Sequence, residues 1–280
     1  MRILLLLALF LVPTAQEPTA SAAPTPDGPW RILVTNDDGI DSPHLAALVS
    51  ALDALGEVVV SAPARNRSGS SRSTEMFSGP LALARVELAG ADEAWSLDGT
   101  PADACAFGAV QLAGERGFDL VVSGINGGSN VGEFAYISGT IGAAMEGASH
   151  GIPAVAVSMD ARADLALAAR YAADFARVLL EHGANPEIVY TINIPRAAAA
   201  GAKGASATTV GPAPMGAAGF QIAEDGSTAR ARISLNPAAQ PEGCDTAEFG
   251  AGRITVTALR RDWSDREAAA ALAQWLPQPR

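Results

Sequence analysis

Two carboxylates stand side by side in "RILVTNDDGIDSPHLAAL": Asp37 and Asp38 follow an apolar run directly and precede Gly39. Adjacent carboxylates repel one another. At the buried end of a strand they need a compensating cation or a set of donors. A hard divalent ion such as Mg²⁺ or Mn²⁺ meets that need, because it takes oxygen ligands, uses one or two carboxylates and keeps waters for a substrate. Turn chemistry is the competing account, in which one Asp caps the next turn and the other faces solvent. On these residues alone both accounts stay open.

Two further polar clusters carry suitable chemistry. "APARNRSGSSRS" brings Arg65, Arg67 and Arg72 together with Asn66, Ser68, Ser70, Ser71 and Ser73. Guanidinium groups fork onto phosphate oxygens, and hydroxyls supply further ligands; a solvated polar loop explains the same composition. "SGINGGSN" contains Asn126 and Asn130 and runs on into "YISGTIGAAMEGASHG", where Ser138-Gly139-Thr140 opens a helix. The free N–H groups and positive dipole end of a helix start favour phosphate. Plain capping by Ser138 or Thr140 accounts for the residues equally well. Several chemistries are excluded by pattern: there is no P-loop, no "HExxH" and no nucleophile elbow, since "GASHG" closes a helical segment instead of joining a strand to a helix. The three histidines, His44, His150 and His182, fall at helical or helix-end positions without metal-ligand spacing.

The elements that must position these clusters form an alternating α/β pattern. Short Val- and Ile-rich runs at 31–35, 57–62, 118–124, 152–158 and 187–194 alternate with helical segments, as parallel strands joined by crossover helices do. Ser42 caps the first helix, Pro43 starts it, Leu45, Leu48, Val49, Leu52 and Leu55 form its apolar stripe, and Gly56 stops it. "PADACAFGAVQL" reads as a buried helix. The stretch from Ala197 to Asn236 breaks the alternation and reads as a β-hairpin excursion; 253–259 then returns as a strand, and a last helix follows, capped by Ser264. In such a sheet, ligands bind outside the carboxyl ends of strands where chain order reverses. All three polar clusters lie at such ends.

The remaining features bound the setting. Arg2 precedes an apolar run from Ile3 to Val12 and a small-residue stretch around Ala20-Ser21-Ala22-Ala23, which reads as a secretory signal peptide over 1–23. The run is too short for the roughly 20 residues that span a bilayer, so no stable membrane anchor is expected and the expected location is exported and periplasmic. The expected organisation is a linker at 24–30, a Rossmann-like catalytic core at 31–196, a hairpin and oligomerisation extension at 197–252, and a strand and helix at 253–280 that complete the core. A net charge of −11 makes duplex nucleic acid a poor partner. Cys105 and Cys244 are read as two unpaired thiols.

Taken together, "ILVTNDDGIDSPHL", "APARNRSGSS", "GTPADA", "LVVSGINGGSNVGEFAYISGTIGAAMEGASHGIPAVAVS" and "EGCDTAEFGAGRITVTAL" resemble the SurE family of survival-protein nucleotidases, collinearly from about Arg31 to Leu259. The resemblance implies a metal-dependent phosphomonoesterase acting on nucleoside 5′- or 3′-monophosphates, with a Rossmann-like fold and a hairpin extension used in a homodimer or homotetramer. It places the divalent metal, Mg²⁺ or Mn²⁺, on Asp37, Asp38, Ser68 and Asn126. Asn36, Gly39, Ser138, Gly139 and Thr140 fall beside the reacting phosphate. Asp37 or Asp38 positions or activates the attacking water. The chain departs from the family pattern in its export leader, in having Gly127 where a bulkier residue often follows "SGIN", and in a hairpin segment short of arginines and aromatics. These departures raise an alternative, an exported nucleotide- or anion-binding protein with little turnover; an aspartyl-phosphate route lacks the expected "DxD" spacing.

Overall fold

A computed structural model describes residues 28–200, 203–236, 240–272 and 275–276; the leader expected over 1–23 lies outside them. The chain runs β1 (Trp30–Thr35), α1 (Pro43–Leu52), β2 (Gly56–Pro63), β3 (Leu83–Val86), β4 (Glu93–Leu97), α2 (Pro101–Gln111), β5 (Leu120–Asn126), α3 (Gly139–Ser149), β6 (Ala154–Met159), α4 (Leu165–His182) and β7 (Ile188–Ile194). It continues through β8 (Ala205–Thr208), β9 (Met215–Ile222), β10 (Ala229–Leu235), α5 (Asp245–Gly250), β11 (Ile254–Arg260) and α6 (Arg266–Leu272). The main sheet has the order β3-β4-β2-β1-β5-β6-β7-β11-β8. It is mostly parallel, with antiparallel pairs at β3–β4 and β7–β11.

Strand β1 sits between β2 and β5, in register Val34↔Val60 and Thr35↔Ser123. Because the chain moves to one side of β1 for β2 and to the other for β5, the reversal point lies at β1 and β5. Alternate side chains of β1 enter two cores, as the two-residue period of a strand requires. Ile32 and Val34 pack with Leu45, Leu48 and Leu52 of α1 and with the alanines of α4. Leu33 packs with Val59, Cys105 of α2 and Ile141 of α3 on the other face. Helix α3 carries glycines where it meets its neighbours: a Cβ at Gly147 would lie 2.6 Å from Val121 Cγ2, and one at Gly142 only 2.1 Å from Ser71 O.

Several local expectations are revised by the structure. Helix α1 ends at Leu52, followed by a 3-10 turn at Asp53–Leu55, and Gly56 already belongs to β2. Its role there is close approach, since a Cβ would meet Trp30 O at 2.1 Å. The strands β3 and β4 are additions, at a sheet edge and in a sequence with no Val/Ile run. The cap of α6 is Asp265, whose Oδ1 accepts from the Ala268 N–H at 2.9 Å, while the Ser264 hydroxyl is spent on Asp262. Between Ala197 and Asn236, β9 and β10 do form an antiparallel hairpin, whereas β8 joins the main sheet beside β11. Cys105 and Cys244 are both free and buried.

Candidate functional site

The loops after β1, β2 and β5 meet at one rim of the sheet. The turn after β1 is built by Asn36, whose Nδ2 donates to Gly39 O at 2.8 Å while its Oδ1 accepts from Gly39 N at 3.1 Å. Gly39 has φ +104°, and a Cβ there would stand 2.9 Å from the Arg65 carbonyl carbon. Both residues therefore shape the loop, with the Asn36 amide and the Gly39 N–H already committed to each other. This turn aims Asp37 and Asp38 in different directions.

Asp37 points inward and is only 3% exposed. The Thr140 hydroxyl donates to its Oδ1 at 2.7 Å. Burial pushes its carboxyl up from the ordinary 3.8 to about 6; the Thr140 hydroxyl opposes that rise, the Asp38 charge adds to it, and backbone N–H groups of Asp37 and Thr140 oppose it again. A buried carboxylate with a like charge beside it is electrostatically undercompensated in the protein alone. Asp38 instead faces a cavity of about 700 Å³, which Ser68 and Asn126 also line. Its Oδ1 accepts from Asn66 Nδ2 at 3.0 Å, and its Oδ2 lies 3.9 Å from His44 Nδ1. Asn126 spends its amide nitrogen on Gly128 O at 2.6 Å, which leaves the amide oxygen as the atom it offers.

The start of α3 closes the back of the site. Ser138 is the helix N-cap, its hydroxyl accepting from the Ile141 N–H at 3.2 Å. Capping and site chemistry are thus divided between Ser138 and Thr140. A Cβ at Gly139 would come within 2.8 Å of Asp37 Cβ and 3.0 Å of both Asp37 Oδ2 and Ser70 Oγ. The Ser70 hydroxyl is buried there with no hydrogen-bond partner. Two adjacent carboxylates, a serine hydroxyl and an amide oxygen form an all-oxygen set, and the orphaned Ser70 hydroxyl adds a polar atom in need of a partner. These residues fit a hard divalent cation with a bound oxyanion. Among the described residues no three His, Cys, Asp or Glu side chains converge, so the fit depends on the hydroxyl and amide oxygens.

The profile of the family described as "Survival protein SurE" matches residues 32–216. The chain belongs to the SurE family. It is 34% identical to the 5′-nucleotidase SurE of Aeromonas hydrophila over 259 residues, covering 88% of this chain and 98% of that protein. It is 39% identical to the 5′-nucleotidase SurE of Syntrophomonas wolfei over 184 residues, 65% of this chain and 69% of that protein. Among solved structures, the SurE protein of Aquifex aeolicus superposes with a TM-score of 0.77 at 32% identity, covering 88% of this chain and 99% of that one.

The structure of this SurE-family chain brings Asp38, Ser68 and Asn126 to one cavity, with Asp37, Gly139 and Thr140 behind them. Of the arginines of the second cluster only Arg65 lines this cavity, and all three are held in ion pairs. Arg65 pairs with Asp98 at 2.7 Å, Arg67 with Glu75 and Asp98 at 3.1 and 3.0 Å, and Arg72 with Glu146 at 2.7 Å. They staple the serine-rich loop to its surroundings. Asn130 is likewise structural, its backbone and amide bonded to Asn193 and Ser158. Asp245, in the late motif, accepts from Gly132 and Gly211 N–H groups at 2.8 Å each and so ties the end of the chain to the segment leading into α3. Two residues that pattern alone does not single out are Ser70, one of four similar serines, and His44.

Proposed function

We propose that this SurE-family nucleotidase is a divalent-metal-dependent phosphomonoesterase that releases phosphate from nucleoside 5′- or 3′-monophosphates. The observation that carries the reading is the convergence of Asp38, Ser68 and Asn126 on one cavity of about 700 Å³ with Asp37 buried behind it. The volume falls within the range of small-molecule sites. Asp37, Asp38, Ser68 and Asn126 would hold the cation, Mg²⁺ or Mn²⁺, which when bound supplies Lewis acidity toward the phosphoryl oxygens.

The chain's own residues divide the remaining work. Thr140 fixes the orientation of Asp37 through its hydrogen bond to Oδ1. Asp38, the carboxylate that lines the cavity, is the one a water can reach, and it orients that water for attack while Asn66 holds its other oxygen. Gly139 lets Asp37 and Ser70 pack closely against the start of α3, and the Ser70 hydroxyl, buried there without a partner, is the donor this loop offers to the phosphate. The negative surface is no obstacle to an anionic substrate, because binding depends on the local site rather than on net charge.

We extend the reading to the setting. The leader-like start of the sequence supports export to the periplasm. Among the described residues no helix is long and apolar enough to cross a membrane. The hairpin of β9 and β10 exposes Phe220, Ile222, Ile233 and Leu235, apolar surface of the kind that a homodimer or homotetramer would cover.

The test is phosphate release by the purified mature chain from a panel of nucleoside monophosphates and an aryl phosphate, with Mg²⁺, with Mn²⁺ and with chelator. Metal-dependent release that chelator abolishes is expected. Release unaffected by chelator, or none with any metal, refutes the proposal.

A further inference from the structure

The cavity over Asp38 is far larger than a phosphate group needs, and its outer wall has an unusual occupant. His44, on the first turn of α1, is the one aromatic side chain among the residues that line it. Its ring is about a quarter exposed and lies 3.9 Å from the Asp38 carboxylate, beyond hydrogen-bond reach. Neither ring nitrogen is thereby spent. The ring can stand there because residue 127 is glycine: a Cβ at that position would come within 2.8 Å of His44 Cε1 and 3.2 Å of Nδ1. A real Cβ does not tolerate 2.8 Å, and of the two neighbours the imidazole is the one that would swing away.

No other side chain that lines the cavity offers an organic moiety an aromatic face. Gly127 and Gly128 have no side chain, Pro43 is small and apolar, and the Arg65 guanidinium is paired with Asp98. With the phosphoryl end held against Asp37 and Asp38, the leaving group of a monoester must lie in the outer part of the cavity. An imidazole offers that group both a π face and an N–H. Its bland role, lending Asp38 a nearby dipole, would affect all phosphate esters alike.

We propose that His44 is a substrate-selecting residue whose imidazole, seated by the absent side chain at Gly127, contacts the nucleoside moiety of the bound monophosphate. The inference rests on the proposed function for the identity of the ligand. It adds the wall that distinguishes a nucleotide from a smaller phosphate ester.

The experiment pairs hydrolysis with equilibrium binding on the full mature protein loaded with Mn²⁺. Calorimetry measures a nonhydrolysable nucleoside phosphonate and inorganic phosphate against the parent, His44→Gly, Gly127→Ala and the double variant, each first checked for an intact thermal transition. His44→Gly is expected to weaken the phosphonate about tenfold, the scale of one base–aromatic contact, and inorganic phosphate much less. Gly127→Ala should produce a similar loss by displacing the ring, and adding it to His44→Gly should cost nothing more. Equal losses for both ligands, or additive losses in the double variant, overturn the inference. If the parent hydrolyses nucleotides but His44→Gly binds the phosphonate as the parent does, the inference falls and the proposed function stands. If the selective loss appears in a protein that hydrolyses nothing, the proposed function falls and the inference stands. No phosphonate binding by the parent refutes the inference, while the proposed function stands or falls on hydrolysis alone.

Discussion

Replacing Asp37 with Asn separates what the carboxylate does for chemistry from what it costs the fold. Asp37 is almost fully buried, and its carboxyl is raised from 3.8 to about 6. A group with a raised folded-state pKa contributes stability that is fully present below the unfolded value and is lost as pH rises through the folded one. In metal-free protein the ionised Asp37 therefore costs stability progressively between about pH 4 and somewhat above pH 6. A rise from 3.8 to about 6 is worth about 3 kcal/mol when complete. Asparagine keeps the volume and an oxygen to accept from Thr140, and carries no charge.

Scanning calorimetry in chelator, from pH 4 to pH 8, reads this directly. Asp37→Asn and the parent should melt together near pH 4. By pH 8 the variant should melt higher, with about 3 kcal/mol as the ceiling, equivalent to roughly 6–12 °C for a domain of this size. With metal present the order reverses in function: turnover should fall on the order of a hundredfold or more, because a charged ligand has been removed. A variant less stable than the parent at pH 8 in chelator, or a difference independent of pH, would refute the electrostatic reasoning. Near-normal turnover would refute the site.

Other perturbations probe the supports of the site. Thr140→Val removes the hydrogen bond that opposes the Asp37 rise, so the pH at which metal-free stability is lost should move upward, and turnover should drop about tenfold through misorientation of the carboxylate. Ser70→Ala deletes a buried hydroxyl with no partner; the metal-free melting point should be unchanged or slightly higher, while inhibition by product phosphate weakens. Gly142→Ala should cost about 2 kcal/mol or more in thermal unfolding, since its Cβ would meet the Ser71 carbonyl, a backbone atom that yields only by moving the serine loop. Asp103→Ala should cost about 2–4 kcal/mol by denaturant unfolding, because it strips partners from the Thr74 hydroxyl and from the Glu75 and Thr100 N–H groups. Burial pushes the Asp103 carboxyl up, but those hydrogen bonds outweigh it and hold it below 3.8. Its contribution is thus present above pH 3.8 and fades as acid protonates it, which an acid titration of parent against variant checks.

The parts of this molecule legible in its sequence are those governed by short-range rules. The β1 run is apolar on both faces because helices cover both, and the polar "TNDDG" marks where it ends. The carboxyl-end rule placed the loops of Ser68 and Asn126 together without knowledge of any distance. What was not legible depends on contacts between remote segments. The arginines of the serine loop read as phosphate ligands or as a solvated polar surface, but Asp98, Glu75 and Glu146 claim them from positions that no local pattern indicates. Ser70 differs from its neighbours only because Gly139 and Asp37 close over it. His44 occupies the cavity wall through its fit against Gly127, which lies on another strand's loop. The strands β3 and β4 escape notice because they are short: exposed β3 forms the sheet edge, and β4 beside it carries no Val/Ile run. Ser264 and Asp265 are both competent caps, and Asp262 decides between them by taking the serine.

The position of β1 between β2 and β5 has a further consequence for how the protein can come apart. The three loops that make the site are anchored on strands paired to one another at the interior of a nine-stranded sheet, whereas the hairpin of β9 and β10 forms a separate two-stranded sheet. Peripheral elements can open and close on their own, but amides at the core of the sheet exchange with solvent only when cooperative unfolding breaks the whole unit. Partial denaturation should thus leave a population that has shed its outer edges yet still holds the crevice intact, and the crevice should disappear in a single step with the last of the protected amides.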